Sequence, residues 1–336
     1  MWGRKRRIAL TTALLVVAAL VVPVATAGAA GHAELVTTFD AGDGELSEGV
    51  AVDKTGNVFV SLAPLGQLLK FAPGSSDYEV FGSIPGWTGE GAGLLGLAVD
   101  AQGNVYAAAQ STGSTGVWKF DRKTGAESLI PGTDQMTFPN SLAFDKKGNL
   151  YVTDSISGGV APDLLGAIYR IGRDGTVEKW VESTFLGGTG ALGPGAVGAN
   201  GIAFRQDTVY VANSEKFSLM SIPVLKDGSA GDISTLAQGF ELFIPDGIAV
   251  DVHGGIYVAV IGLSAIKRVN PDGSIDTIAT GAGDFLDLPS SLAFGTGAGM
   301  KQTLYAVNLA LVPEIGTGIG PALVAIDVGV PGMPLP

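Results

Sequence analysis

The chain contains no cysteine, which excludes a disulfide framework and a thioether lipid anchor. Histidine is nearly as scarce. His32 and His253 are the only two, one near the N-terminus and one in a tight turn, and both read as solvated surface residues, so histidine-based catalysis is disfavoured. Basic residues are few as well: 20 Lys and Arg stand against 32 Asp and Glu, a formal net charge of −12. Nucleic acid and anionic membranes both require a positive field and are thereby excluded as expected partners. No charged or Pro/Ser-rich linker interrupts the chain, so residues 28–336 read as one domain.

The one long apolar run lies at the start, where Arg4, Lys5, Arg6 and Arg7 precede an uncharged stretch from Ile8 to Val22 and Ala25-Thr26-Ala27 follows. A basic head, an apolar body and small residues at a cleavage point describe a secretory signal peptide over residues 1–27. The run falls short of the ~20 apolar residues that span a bilayer. Without these residues, 16 basic and 32 acidic side chains remain, a net charge of −16. The expectation is a soluble monomer, secreted or associated with the cell wall.

What the sequence has in quantity is a repeated phrase. Ile244-Pro245-Asp246-Gly247-Ile248-Ala249-Val250-Asp251 reads as a turn followed by a short β-branched strand. Related phrases open their strands at positions 49, 96, 141, 201, 247 and 291, spaced 47, 45, 60, 46 and 44 residues apart. A period of roughly 40–50 residues built from short strands is the signature of propeller blades. The first strand ends in Asp-x-x-Gly-Asn, as at Asp53–Asn57, Asp100–Asn104 and Asp145–Asn149, which predicts tight hairpins. A second strand follows, then a connection of variable length, a third strand and a fourth. Tyr106, Tyr151, Tyr210, Tyr257 and Tyr305 recur at one strand position and are expected in core packing.

The fold expected is all-β, a six-bladed β-propeller. The last repeat lacks a fourth strand, and Glu34–Phe39 lacks a partner nearby, so the N-terminal strand is expected to complete the last blade and close the ring. Because strands alternate in direction, the tight turns share one end. The longer connections (82–95, 155–166, 184–199 and 309–321) share the other, where binding sites are usually carried.

At the loop-rich end, the residue before each first strand is Glu48, Leu95, Asn140, Asn200, Asp246 and Ser290 in turn. Two carboxylates and two amide oxygens converging on the axis suit a hard cation, Ca²⁺ first and Mg²⁺ or Mn²⁺ next. Such an ion can polarise a carbonyl or phosphoryl oxygen beside a carboxylate base or nucleophile. Against this stands a purely structural alternative, since Asn-Gly and Asp-Gly are ordinary turn formers. Glu48 resists that alternative, because glutamate is a poor turn residue. Further pocket candidates at the same end are Asp154, Asn213 and Asn308, which otherwise would cap strand ends, and Trp87 with Glu90, where inter-blade packing is the plainer reading of the tryptophan.

These repeats resemble the senescence marker protein/gluconolactonase family and its relatives diisopropyl fluorophosphatase and paraoxonase, and the blade phrase is also similar to NHL repeats. The resemblance implies a six-bladed calcium-dependent hydrolase. It rests on Glu48-Gly49 in the first blade, Asn140 and Asn200 in middle blades and Pro245-Asp246-Gly247 in the fifth. It implies that Glu48, Asn140, Asn200 and Asp246 hold the metal and that Asp246 is also the catalytic base or nucleophile. Two departures stand out. The histidines of paraoxonase-like and streptogramin-lyase-like enzymes are missing here, and the candidate loops carry no cluster of Arg or Lys to recognise a charged sugar acid. The function expected is hydrolysis of lactones or related esters on a small-molecule substrate. Two alternatives stay open: a non-enzymatic ligand- or protein-binding propeller with a structural cation, and a lyase or synthase using an acidic residue without metal.

Overall fold

A computed structural model describes residues 32–192, 197–310 and 316–335. The expected signal peptide lies outside the described residues. Six four-stranded antiparallel sheets are arranged in a ring as a six-bladed β-propeller. Helical structure among the described residues is confined to five single 3-10 turns, and none is long or apolar enough to cross a membrane.

The first strands, nearest the axis, are Ser47–Val52, Gly91–Val99, Pro139–Phe144, Ala199–Arg205, Pro245–Val250 and Pro289–Phe294 for blades one to six. Each touches the first strand of the blade before and after it, so the set closes on itself. Between neighbouring blades lie six separate apolar clusters, one per interface, in place of a single central core. Successive strand residues point to opposite sheet faces, so each blade feeds two of these clusters. In the first blade Val50 and Val52 pack toward blade six and Ala51 toward blade two. The recurring tyrosines behave as expected, and Tyr151, Tyr257 and Tyr305 are buried between blades.

Closure is as anticipated. His32–Thr38 forms the outer strand of blade six, pairing antiparallel with Ala322–Asp327 from His32 opposite Asp327 to Thr38 opposite Ala322. This covers an edge that would otherwise offer unpaired N–H and C=O groups.

The Asp-x-x-Gly-Asn turns have a specific chemistry. Asp53 Oδ1 accepts the N–H groups of Thr55 and Asn57, Oδ2 accepts the Asn57 side-chain amide, and Gly56 takes φ +90°. The asparagine clamps the aspartate while the glycine alone takes the positive torsion. Asp100 and Asp145 repeat the pattern, and at Asp251 the second oxygen takes the Arg268 guanidinium instead. His253 lies exposed in this last turn, at the end opposite Glu48.

One connection differs from the sequence reading. Residues 155–166 form no loop: the second strand of blade three runs Leu150–Val160, the third Asp163–Ile171, and they pair out to Val160 and Asp163 as a long hairpin arm. Gly158 and Gly159 carry no side chain to reveal the two-residue period, which hides this strand in the sequence.

Candidate metal centre

The six candidate axial residues are aimed by the same backbone device. In blade one Ser47 pairs with Leu62 and Val50 with Val60, so Glu48 and Gly49 together oppose the single residue Ser61. This is a β-bulge, which inserts one residue and re-aims a side chain. The same slip occurs at Leu95, Asn140, Asn200, Asp246 and Ser290 in the other five blades. The expectation that Pro245-Asp246-Gly247 is a turn is therefore corrected: these residues lie within a strand, and the left-handed residue that turns the chain is Ile244, at φ +58°.

The glycines after the site residues answer a different need. A Cβ on Gly201 would meet the Asp246 carbonyl oxygen at 2.2 Å, and one on Gly247 would meet Ser291 Cα at 2.6 Å. Neighbouring blades approach through bare backbone here. Gly201→Ala is expected to lower stability by about 1–3 kcal/mol in urea denaturation, a loss that a simple turn glycine with negative φ would not show.

The ring so formed is buried: Glu48, Asn140, Asn200 and Asp246 retain 8%, 5%, 5% and 6% exposure. Leu95 completes it without a ligating group, and the Ser290 hydroxyl donates its proton to the Glu48 carbonyl at 2.8 Å. Glu48 and Asp246 are close enough to repel. Burial first, then the Asp246 charge, pushes the Glu48 carboxyl well above its usual range. Burial likewise pushes Asp246 up to about 8, against the opposing pull of the Asn200 amide and the Gly247 N–H.

Both asparagines are oriented by serines that sequence reasoning missed. Asn140 Nδ2 donates to Ser155 Oγ at 3.2 Å, and that hydroxyl donates onward to the Ala199 carbonyl. Asn200 Nδ2 donates to Ser214 Oγ at 3.0 Å, which donates to the Pro245 carbonyl at 2.7 Å. Committing each amide nitrogen to a hydroxyl fixes which way the amide oxygen turns. The matched pairs Asp154-Ser155 and Asn213-Ser214 were the available signal.

Buried acceptors without a donor test whether a cation fits. Glu48 Oε2 and Asn200 Oδ1 are both fully buried and have no hydrogen-bond partner among the described residues. Such oxygens are costly unless something positive meets them. With two carboxylates and two amide oxygens on one ring, the donor set suits a hard divalent cation such as Ca²⁺.

The other candidates lie outside this group. Asp154 accepts the N–H groups of Thr137 and Phe138, and Asn213 donates Nδ2 to the carbonyls of Phe185, Leu186 and Gly187. Asn308 donates to the Phe285 carbonyl. All three fasten blade-to-blade connections. Trp87 donates its indole N–H to the Pro64 carbonyl at 2.9 Å and packs over Gly66, as an inter-blade residue, while Glu90 is exposed. Two further carboxylates hold the loop-rich face: Glu215 accepts the N–H groups of Gly190 and Leu192, and Asp287 those of Thr317, Gly318 and Gly320.

The family model for the SMP-30/Gluconolactonase/LRE-like region matches residues 128–307. Among solved structures, regucalcin from Agrobacterium tumefaciens, described as a calcium-binding protein, aligns with TM-score 0.67 at 18% identity, covering 91% of this chain and 97% of that one. A gluconolactonase from Xanthomonas campestris aligns with TM-score 0.65 at 18% identity, covering 90% of each chain. A PQQ-bound aldose sugar dehydrogenase from Streptomyces coelicolor also aligns, with TM-score 0.62 at 17% identity over 89% of this chain and 99% of that one. At such identities the likeness shows the fold, and one fold serves several chemistries. No curated protein matches the sequence.

Proposed function

The chain belongs to the SMP-30/gluconolactonase/LRE-like family, and from that premise we propose that it is a secreted, calcium-dependent hydrolase of lactones or related esters acting at the Glu48–Asp246 centre. The observation that carries the proposal is the pair of buried, unpartnered oxygens, Glu48 Oε2 and Asn200 Oδ1, beside the carboxylate of Asp246.

In this reading Glu48, Asn140, Asn200 and Asp246 hold the ion, with Mg²⁺ or Mn²⁺ as lesser candidates. Calcium bound there would polarise the lactone carbonyl as a Lewis acid. Asp246 accepts the proton of the attacking water. Burial pushes the metal-free group up to about 8, and a cation bound beside it would oppose that shift and keep the carboxylate ionised and able to accept the proton. Ser155 and Ser214 keep the two amides from rotating, and the loops tied down by Glu215 and Asp287 shape the mouth above. With histidine confined to exposed positions, a carboxylate is the base that the site offers.

Metal analysis joined to an assay of aliphatic lactones and aryl esters tests this. Chelation is expected to lower turnover by at least roughly 10²-fold, with recovery on adding calcium. Turnover indifferent to chelator in a metal-free sample would sink the metal-dependent reading. Stoichiometric calcium with no turnover across the panel would favour a binding propeller with a structural cation, the reading that the name of regucalcin keeps in view.

A further inference from the structure

Below the oxygen ring the central channel changes character. A cavity of about 440 Å³ occupies its far half, toward the tight-turn end. Each blade contributes one alanine to its wall: Ala51, Ala98, Ala143, Ala203, Ala249 and Ala293. These are the alanines of the repeated phrase, and a larger residue at that register would fill the axis. Leu97, Leu142, Ile202 and Leu292 line the cavity on the side of the metal centre. At the other end Met333, Pro334 and Leu335 lie across it. This tail is held by Met333 N–H to the Val250 carbonyl and by Val252 N–H to the Pro331 carbonyl, both on blade five, and by Gly332 N–H to the Lys301 carbonyl on blade six. Among the described residues the tail is fastened on blades five and six, and exposed Lys146 and Gln206 of blades three and four stand at the mouth.

We propose that this apolar half-channel is a second ligand site, separate from the metal centre, that takes a small anionic amphiphile: a hydrocarbon body of medium length with a carboxylate head. Its volume falls within the range of small-molecule pockets, which are mostly apolar with a few placed polar groups. Water against such walls lacks hydrogen-bond partners, so a hydrocarbon displaces it favourably. Lys146 is the only charged residue among the described residues that line the cavity, which selects an anionic head. Its present partner, Asp207 at 2.9 Å, forms an exposed pair of the weak kind that a ligand head can replace.

Equilibrium dialysis of decanoate against the full secreted chain tests the proposal, with decanol and decyltrimethylammonium as comparators. Saturable binding of one decanoate per chain is expected, unaffected by a calcium chelator. Ala249→Leu should weaken it by roughly 10-fold or more, since the added side chain occupies the cavity. Lys146→Glu should weaken decanoate by roughly five-fold and leave decanol unchanged. No saturable binding to the wild-type chain, unchanged affinity in either variant, or loss of binding on chelation would overturn the proposal. Loss of binding on chelation would place the ligand at the metal centre instead, so this test and the lactonase test fail separately. Should Ala249→Leu not fold, cross-linking with a diazirine-bearing decanoate decides: labelling of the residues that line the cavity supports the site, and labelling confined to residues outside it refutes it.

Discussion

Asp246→Asn is expected to lower lactone hydrolysis by about 10³-fold or more, because it removes two contributions at once. A positioned general base alone is worth roughly 10²–10⁴-fold, and loss of its charge would also weaken the proposed cation site. The substitution nearly preserves shape, so the bulge that aims residue 246 and the contacts of Gly247 remain. It also carries a signature that general damage cannot imitate. Removing one of two buried, mutually repelling carboxylates should make the metal-free variant more stable than the metal-free wild type at pH 8, while its calcium affinity falls. Turnover assays and metal-free thermal melts on the same preparation check both. Activity within a few-fold of wild type would remove Asp246 from catalysis, and a metal-free variant less stable than wild type at pH 8 would mean that the two carboxylates do not repel.

The second large effect expected from the proposed calcium site is a pH-dependent exchange of protons for calcium. Both Glu48 and Asp246 have folded-state values raised above their unfolded ones, Asp246 from 3.8 to about 8. In the metal-free fold these groups hold protons that the unfolded chain releases. Their contribution is therefore fully present below about pH 4 and is lost as pH rises toward about 8. For Asp246 alone it is of the order of several kcal/mol. In the proposed reading calcium binds the ionised pair, so its stabilisation should grow across that window, toward roughly 3 kcal/mol at a hundredfold excess over Kd. Thermal melts from pH 5 to pH 8.5, with chelator and with calcium, should show a metal-free Tm that falls more steeply than that of Asp246→Asn and a calcium-induced gain that widens with pH. Parallel curves for the two proteins, or the same calcium shift at both pH extremes, would contradict the coupling.

Much of this was readable from the chain because a propeller is a repeat. The period between phrases, the missing fourth strand of the last repeat and the unpaired strand at 34–39 together specify six blades and their closure, and the structure has both. Repetition also aligned Glu48, Asn140, Asn200 and Asp246 at one register, and the structure places all four at one bulge position, with Asp246 close enough to Glu48 to repel it and to Asn200 to accept its amide. The physical reason for the motif was misread. Asp-Gly is a common turn pair, but here the glycines permit backbone contact between blades, and the turn falls on Ile244, a residue with no turn propensity to betray it.

Composition and periodicity by themselves determined the blade count, the ring closure and which residue types stand at the axis, because those follow from local hydrogen bonding and alternation within each repeat. Only the tertiary structure decided which atoms are left unpartnered. That Glu48 Oε2 and Asn200 Oδ1 lack donors while Ser155 and Ser214 hold the amides depends on side chains from different blades. That six alanines enclose an apolar space, crossed by a tail from the far end of the chain, likewise exists only once the blades are side by side. Burial and partnering are relations between distant segments, and no window of sequence contains them.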